Sequence, residues 1–215
     1  MKKIEDYRVP DLQRPNTIWT FVLESPHRDE IRLGYPAAGD SGKIMSEVLL
    51  GEPTPFGQLL QENNPMAAGY SIMNASCIPL QDSCYYEPHF REEILEISNA
   101  RYTGQDIGAA KIAVKRVLDS PIGKRITLNL NLRILRQLGC NPSGSFIVCG
   151  VVAQSIFEIA MSVEGWFHKS IVVNLEGKEA TVFYENHPSS QSGEVRSKWK
   201  DPENMKPLLQ FLCRQ

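Results

Sequence analysis

The chain has 215 residues, of which 42% are apolar and 22% charged, with a formal net charge of -2 at pH 7. That length and mixture suit one domain with a substantial core and exclude an intrinsically disordered chain. The charge balance neither supports nor excludes nucleic acid, although a protein that coats it with a broad surface is usually basic. It still allows an enzyme that grips one nucleotide with a local positive rim.

In chain order, Thr17-Ile18-Trp19-Thr20-Phe21-Val22-Leu23 reads as a buried strand that stops abruptly at Glu24-Ser25-Pro26-His27. Asp40 or Ser41 is placed to cap a helix running through Ser46-Glu47-Val48-Leu49-Leu50. Gly69 to Met73 forms a second strand, ending at Asn74. Helical spacing of apolar residues covers Phe90 to Ala100, Asp106 to Leu118 and Ile126 to Leu138. Phe146-Ile147-Val148-Cys149 is a third buried strand, closed by Gly150, and a helix starts at once through Val151 to Ala160. Ile171-Val172-Val173 reads as an extra or edge strand. Thr181 to Tyr184 is the last clear strand, and Pro202 to Cys213 holds a terminal helix. Short apolar strands separated by helices predict a three-layer α/β/α fold around a central, mainly parallel four-stranded sheet. One domain is expected over residues 1–215.

Parallel α/β sheets bind ligands beyond the carboxyl ends of their strands, so the polar strand ends are the candidate site. Glu24 directly follows four apolar residues, and burial there would raise its pKa for proton transfer or for orienting water. The plainer alternative is a cap or a salt bridge. Ser25 and His27 stand in the same turn. The loop Gly34 to Lys43 is glycine-rich and opens a helix. Backbone amides at Gly39, Ser41 and Gly42, with the charge of Lys43, suit anionic oxygens, and Asp40 is a further pocket candidate. It is not a Walker loop, because Ala37 stands at the first required glycine and Ile44 follows Lys43.

Asn74 presents a donor and an acceptor together, which fits the carbonyl and imino N–H of a uracil-like ring; a local strand-closing hydrogen bond is the competing role. Glu185-Asn186-His187-Pro188-Ser189-Ser190-Gln191-Ser192 ends the last strand. His187 can donate to a developing oxyanion. Ser189, Ser190 and Ser192 can meet phosphate oxygens, or simply form a solvated turn. Arg196, Lys198, Trp199 and Lys200 make a basic, aromatic segment suited to a nucleic-acid strand or to solvent. Trp19 and Trp166 read as packing residues. Cys77 and Cys149 read as small core residues, and the five cysteines have no metal-site spacing. No secretory leader or membrane-spanning run is evident, so a cytoplasmic protein without metal or cofactor is expected.

Taken together, these elements resemble the uracil-DNA glycosylase superfamily, in a divergent form related to its bacterial and archaeal branches. Leu23-Glu24-Ser25-Pro26-His27 is similar to the first motif. Gly34-Tyr35-Pro36-Ala37-Ala38-Gly39-Asp40-Ser41-Gly42 matches the second in register. The strand ending at Asn74, the join Phe146 to Ala153 and His187-Pro188-Ser189-Ser190 follow in family order, so the resemblance runs from about Thr17 to Trp199. It implies a four-stranded parallel sheet and a monofunctional glycosylase that flips uracil or another damaged base out of DNA and hydrolyses its N-glycosidic bond. Single-stranded and damaged DNA are the implied partners. Glu24 would place water, Asn74 would read the base and His187 would stabilise charge on the base oxygen. Gly39 to Lys43 and Ser189 to Ser192 would approach phosphates. Ser25 stands where classical members carry an aspartate. Ala37 replaces a stacking phenylalanine, a contact of roughly 1–3 kcal/mol in single-strand recognition. Two alternatives follow from these departures: a nucleic-acid-binding relative with little or no catalysis, or a hydrolase or transferase of free nucleosides or nucleotides.

Overall fold

The computed structural model describes residues 4–85, 92–103, 106–140, 144–166, 168–189 and 198–213. Five strands form one sheet: β1 (Trp19–Leu23), β2 (Tyr70–Asn74), β3 (Ser145–Cys149), β4 (Ser170–Leu175) and β5 (Lys178–Glu185). Their spatial order is β2-β1-β3-β5-β4. The first four in that order run parallel, and β4 pairs antiparallel with β5. The sheet is therefore mixed and five-stranded, which corrects the expectation of four strands. The extra strand is the edge segment at Ile171 to Val173, lengthened and turned back on its neighbour. Glu176 and Gly177 both have positive φ, 51° and 82°, in the two-residue link. That geometry matches the right-handed twist of a hairpin.

The pleat decides which helices cover which face. Val22, Met73, Phe146, Val148, Val182 and Tyr184 point to one side. There they pack against α4 (Glu92–Asn99), α5 (Ile107–Val117), α6 (Pro121–Cys140) and α7 (Val151–Met161). Trp19, Phe21, Ile72, Ile147, Cys149 and Phe183 point to the other side, toward α2 (Asp40–Leu50), α3 (Phe56–Gln61) and α8 (Pro202–Leu212). Burial on both faces explains why β1 and β3 are uninterrupted buried runs rather than alternating ones. Each large side chain fully buried here contributes roughly 1.5–3 kcal/mol.

The remaining helix, α1 (Arg28–Leu33), follows β1 directly. Caps set the helix boundaries: α5 lies within the expected Asp106 to Leu118, whereas α6 begins five residues before the expected Ile126 and ends two after Leu138. Asp106 accepts from the Ala109 amide at 2.8 Å and starts α5. Ser120 accepts from Gly123 at 3.2 Å at the start of α6, where Pro121 gives up no needed donor. At α2 the N-cap is Gly39, with no side-chain cap, so neither Asp40 nor Ser41 fills that role. The strand-like segment around Leu12 bridges Ile72 and covers the β2 edge. No helix among the described residues is long and apolar enough to cross a membrane. Trp19 is buried, but Trp166 is 72% exposed and is not a packing residue.

Candidate functional site

Register brings the strand ends level. Leu23 pairs with Asn74, Val22 with Val148, and Cys149 with Glu185. The chain leaves β1 for β2 on one side and later places β3 on the other, so the crevice opens at the topological switch point. A cavity of ≈ 260 Å³ lies there, lined by Ser25, His27, Glu30, Ala37, Asn74 and His187, with Asp29, Gly39, Asp40, Ser41 and Ser189 toward its mouth. It is smaller than the roughly 300–1,000 Å³ of drug-sized sites and suits a single ring.

Glu24 does not line it. The alternation of β1 turns Leu23 toward the α2 layer and Glu24 toward α4. There the carboxylate pairs with Arg101 and accepts from Ser98 at 3.5 Å. The expectation that Glu24 is the water-orienting residue is thus corrected: its charge is spent in a buried ion pair. A different carboxyl lines the cavity: burial pushes Glu30 up to about 7. Glu30 Oε2 accepts from the His27 amide at 2.6 Å, and Oε1 accepts from the Ala37 amide at 2.5 Å and from Asn74 Nδ2 at 3.5 Å. A Glu three residues after the N-cap His27 makes a capping box, the one signal for it in the sequence. Its proximity to Ala37 and Asn74 has no local signature.

The amide of Asn74 is oriented by that contact. With Nδ2 directed at Glu30, Oδ1 is left buried without a hydrogen-bond partner. An unsatisfied buried acceptor costs about 1–3 kcal/mol, so the cavity is poised for a ligand that donates. Ala37 is held at φ 52°, strained for a residue with a side chain. A Cβ on Gly42 would sit 1.9 Å from the Ala37 carbonyl oxygen, so Gly42 serves the close approach of α2 to this loop rather than the cavity wall.

His187 is fixed from both sides. Gly150, at φ 90°, has a Cβ position only 3.0 Å from the His187 Cβ, so the turn into α7 must be glycine to let the imidazole in. His187 Nδ1 accepts from the Ser189 amide at 3.1 Å, which puts the proton of the neutral ring on Nε2. Burial, then the charges of His27 and Arg101, push its pKa down to about 3. The ring is therefore a neutral donor at physiological pH. His27 is also pushed below its usual value, mainly by burial, and its Nε2 lies 3.2 Å from Gln81 Nε2.

The phosphate-binding expectations divide. Gly39, Ser41 and Ser189 line the cavity. Lys43 pairs with Asp40 at 3.2 Å and Arg32 with Asp29 at 2.9 Å, so those cations offset rim carboxylates. Lys198 reaches Asn186 Oδ1 at 3.4 Å, and Trp199 is buried with Nε1 donating to the Asn186 carbonyl at 2.7 Å, so that tryptophan is core rather than a stacking platform. Ser190, Ser192 and Arg196 lie outside the described residues. Cys149 is buried as expected, whereas Cys77 is half-buried and donates to Asn129 Oδ1 at 3.1 Å. No group of three or more metal-ligating side chains occurs among the described residues. The chain matches no family model and no curated protein.

Proposed function

We propose that this cavity takes a flipped-out, uracil-like base and that the protein hydrolyses the N-glycosidic bond of such a nucleotide in DNA. The observation that carries the reading is the buried, unpartnered Asn74 Oδ1 in the same cavity as a neutral His187 with its donor at Nε2. A ring with an imino N–H flanked by carbonyls satisfies the first, and its developing anionic oxygen is met by the second. Cytosine presents an acceptor at the imino position and leaves Asn74 unpaired, a penalty of about 1–3 kcal/mol. The order of strand-end motifs that resembles the uracil-DNA glycosylase superfamily supports the same reading.

With Glu24 engaged by Arg101, the proposed chemistry leans on leaving-group stabilisation. Bond cleavage runs ahead of attack, the electron pair of the broken bond leaves on the base, which His187 Nε2–H holds as an anion, and water adds to the sugar cation and gives its proton to the base anion or to solvent. Ser25 positions that water as a hydrogen-bonding partner, since an unassisted serine is too weak a base to deprotonate it. Ala37 leaves one face of the ring without an aromatic lid, so affinity for the base falls on the polar contacts.

The test is base release and abasic-site formation on single- and double-stranded DNA carrying uracil, hypoxanthine, xanthine or oxidised pyrimidines. Turnover on at least one ring with an imino N–H, and none on cytosine, is expected. No turnover on any of them at high concentration of folded protein overturns the proposal. Asn74→Asp loses the donor that ties the side chain to Glu30 and places a second carboxyl beside it, so the acceptor offered to the ring is no longer held in place, and uracil turnover should fall by tenfold or more.

A further inference from the structure

The geometry points to a second binding surface, a groove between the N-terminal segment and α6 that takes the phosphodiester backbone of a nucleic-acid strand. Two adjoining hollows of ≈ 380 Å³ and ≈ 420 Å³ share Arg8, Cys77 and Asn129 as walls. Arg125, Asn129, Arg133 and Arg136 recur along α6 at spacings of four, four and three, which puts them on one helical face. Eleven residues at 1.5 Å each spread this row over about 17 Å. A line of guanidinium groups that long fits a linear polyanion better than a single phosphate ion.

Arg133 is the anchor of the groove rather than its free charge. It pairs with Asp11 at 2.8 Å, donates to Asn129 Oδ1 at 2.9 Å, and donates to the Ala75 carbonyl at 2.9 Å. Arg8, Arg125 and Arg136 are exposed, and among the described residues none of them has a carboxylate within ion-pair distance. Leu132 lies in the same groove with 59% of its surface exposed, an apolar contact for a sugar or base edge. The cavity at the strand ends, by contrast, has its nearby Arg32 and Lys43 already committed to Asp29 and Asp40. Asp11 and Glu5 stand on the groove walls, and the Asp11 carboxylate also acts on Arg8 and Arg136 at longer range, so four arginines against two carboxylates leave the groove a net positive charge.

Position links the two surfaces. The groove reaches Ser76 and Cys77, and Asn74 lines the cavity. Three residues of chain span at most about 11 Å. A strand whose base enters the cavity can therefore run on past the end of β2 into the arginine row. The assignment to nucleic acid draws on the proposed function, but binding along the groove does not require base release.

The test uses the full chain, a fluorescent single-stranded oligonucleotide without uracil, and anisotropy titrations across salt concentrations. Each phosphate contact contributes about 0.7 to the slope of log K against log salt on a single strand. Replacing Arg8, Arg125 and Arg136 together by alanine should flatten that slope by about 2, while triple lysine replacement should keep it. An unchanged slope in the alanine variant, or no oligonucleotide binding by the wild type, overturns the groove. Competition by polyglutamate or inorganic triphosphate as strong as that of unlabelled oligonucleotide also overturns it, in favour of a general anion site. Slope loss together with absent base release on every damaged base upholds the groove and sinks the catalytic reading, so the two failures are distinct.

Discussion

Glu30→Gln separates the electrostatic role of the buried carboxyl from its shape. In the wild type, burial raises this group from 4.5 to about 7, so the native state holds its proton more tightly than the unfolded chain. Stability from this group is full below about pH 4.5 and is lost as the pH rises through about 7. The displacement corresponds to roughly 3 kcal/mol, an order-of-magnitude figure. Glutamine has no charge to desolvate, but only its carbonyl oxygen accepts, so it cannot receive both the His27 and Ala37 amides. One buried donor is then unpaired, at about 1–3 kcal/mol. At pH 5 the variant should therefore be less stable than wild type. By pH 8 the wild type has lost its advantage, and the variant should equal or exceed it. Urea denaturation at pH 5, 6, 7 and 8 measures this directly. Stability curves that stay parallel across that range would refute the claim that Glu30 titrates inside the fold.

Other outcomes follow from neighbouring contacts. His187→Ala should lower kcat by roughly 10²–10³-fold, the scale of one lost oxyanion donor, with a smaller effect on DNA affinity. Because burial and nearby charges hold His187 at about 3, kcat measured from pH 5 to 8 should show no inflection from this residue. An inflection near 6.5 that disappears in His187→Ala would contradict the neutral donor. Gly150→Ala forces a side chain into φ 90° and against His187; a cost of about 1–3 kcal/mol in thermal or urea stability is expected, with activity falling further than stability explains. Arg101→Met strands the buried Glu24 charge, and chemical denaturation should show a loss of about 3–5 kcal/mol that the added change Glu24→Gln largely restores.

The carboxyl edge of the sheet was legible because strand ends leave local marks. Apolar runs stop at Glu24, Asn74, Gly150 and Glu185, and parallel strands must present those ends together. Asn74, His187, Ser25, Ala37 and Ser189 do share one cavity. The β4–β5 hairpin was less legible: Lys178-Glu179-Ala180 is a polar start to a strand, and the turn uses Glu176 rather than a second glycine or asparagine at positive φ.

Periodicity and caps act over a few residues, so they marked the four parallel strands, most of the helices and the edge where chemistry collects, but left α1 and α3 unread. Tertiary structure alone decided which groups on that edge face inward. Glu24 was turned away by a one-residue alternation and taken up by Arg101, 77 positions later. Glu30 was drawn in by an amide seven residues on and a carboxamide 44 residues on. Burial and charge pairing depend on neighbours distant in the chain, and it is they that set the protonation and the donor pattern of the cavity.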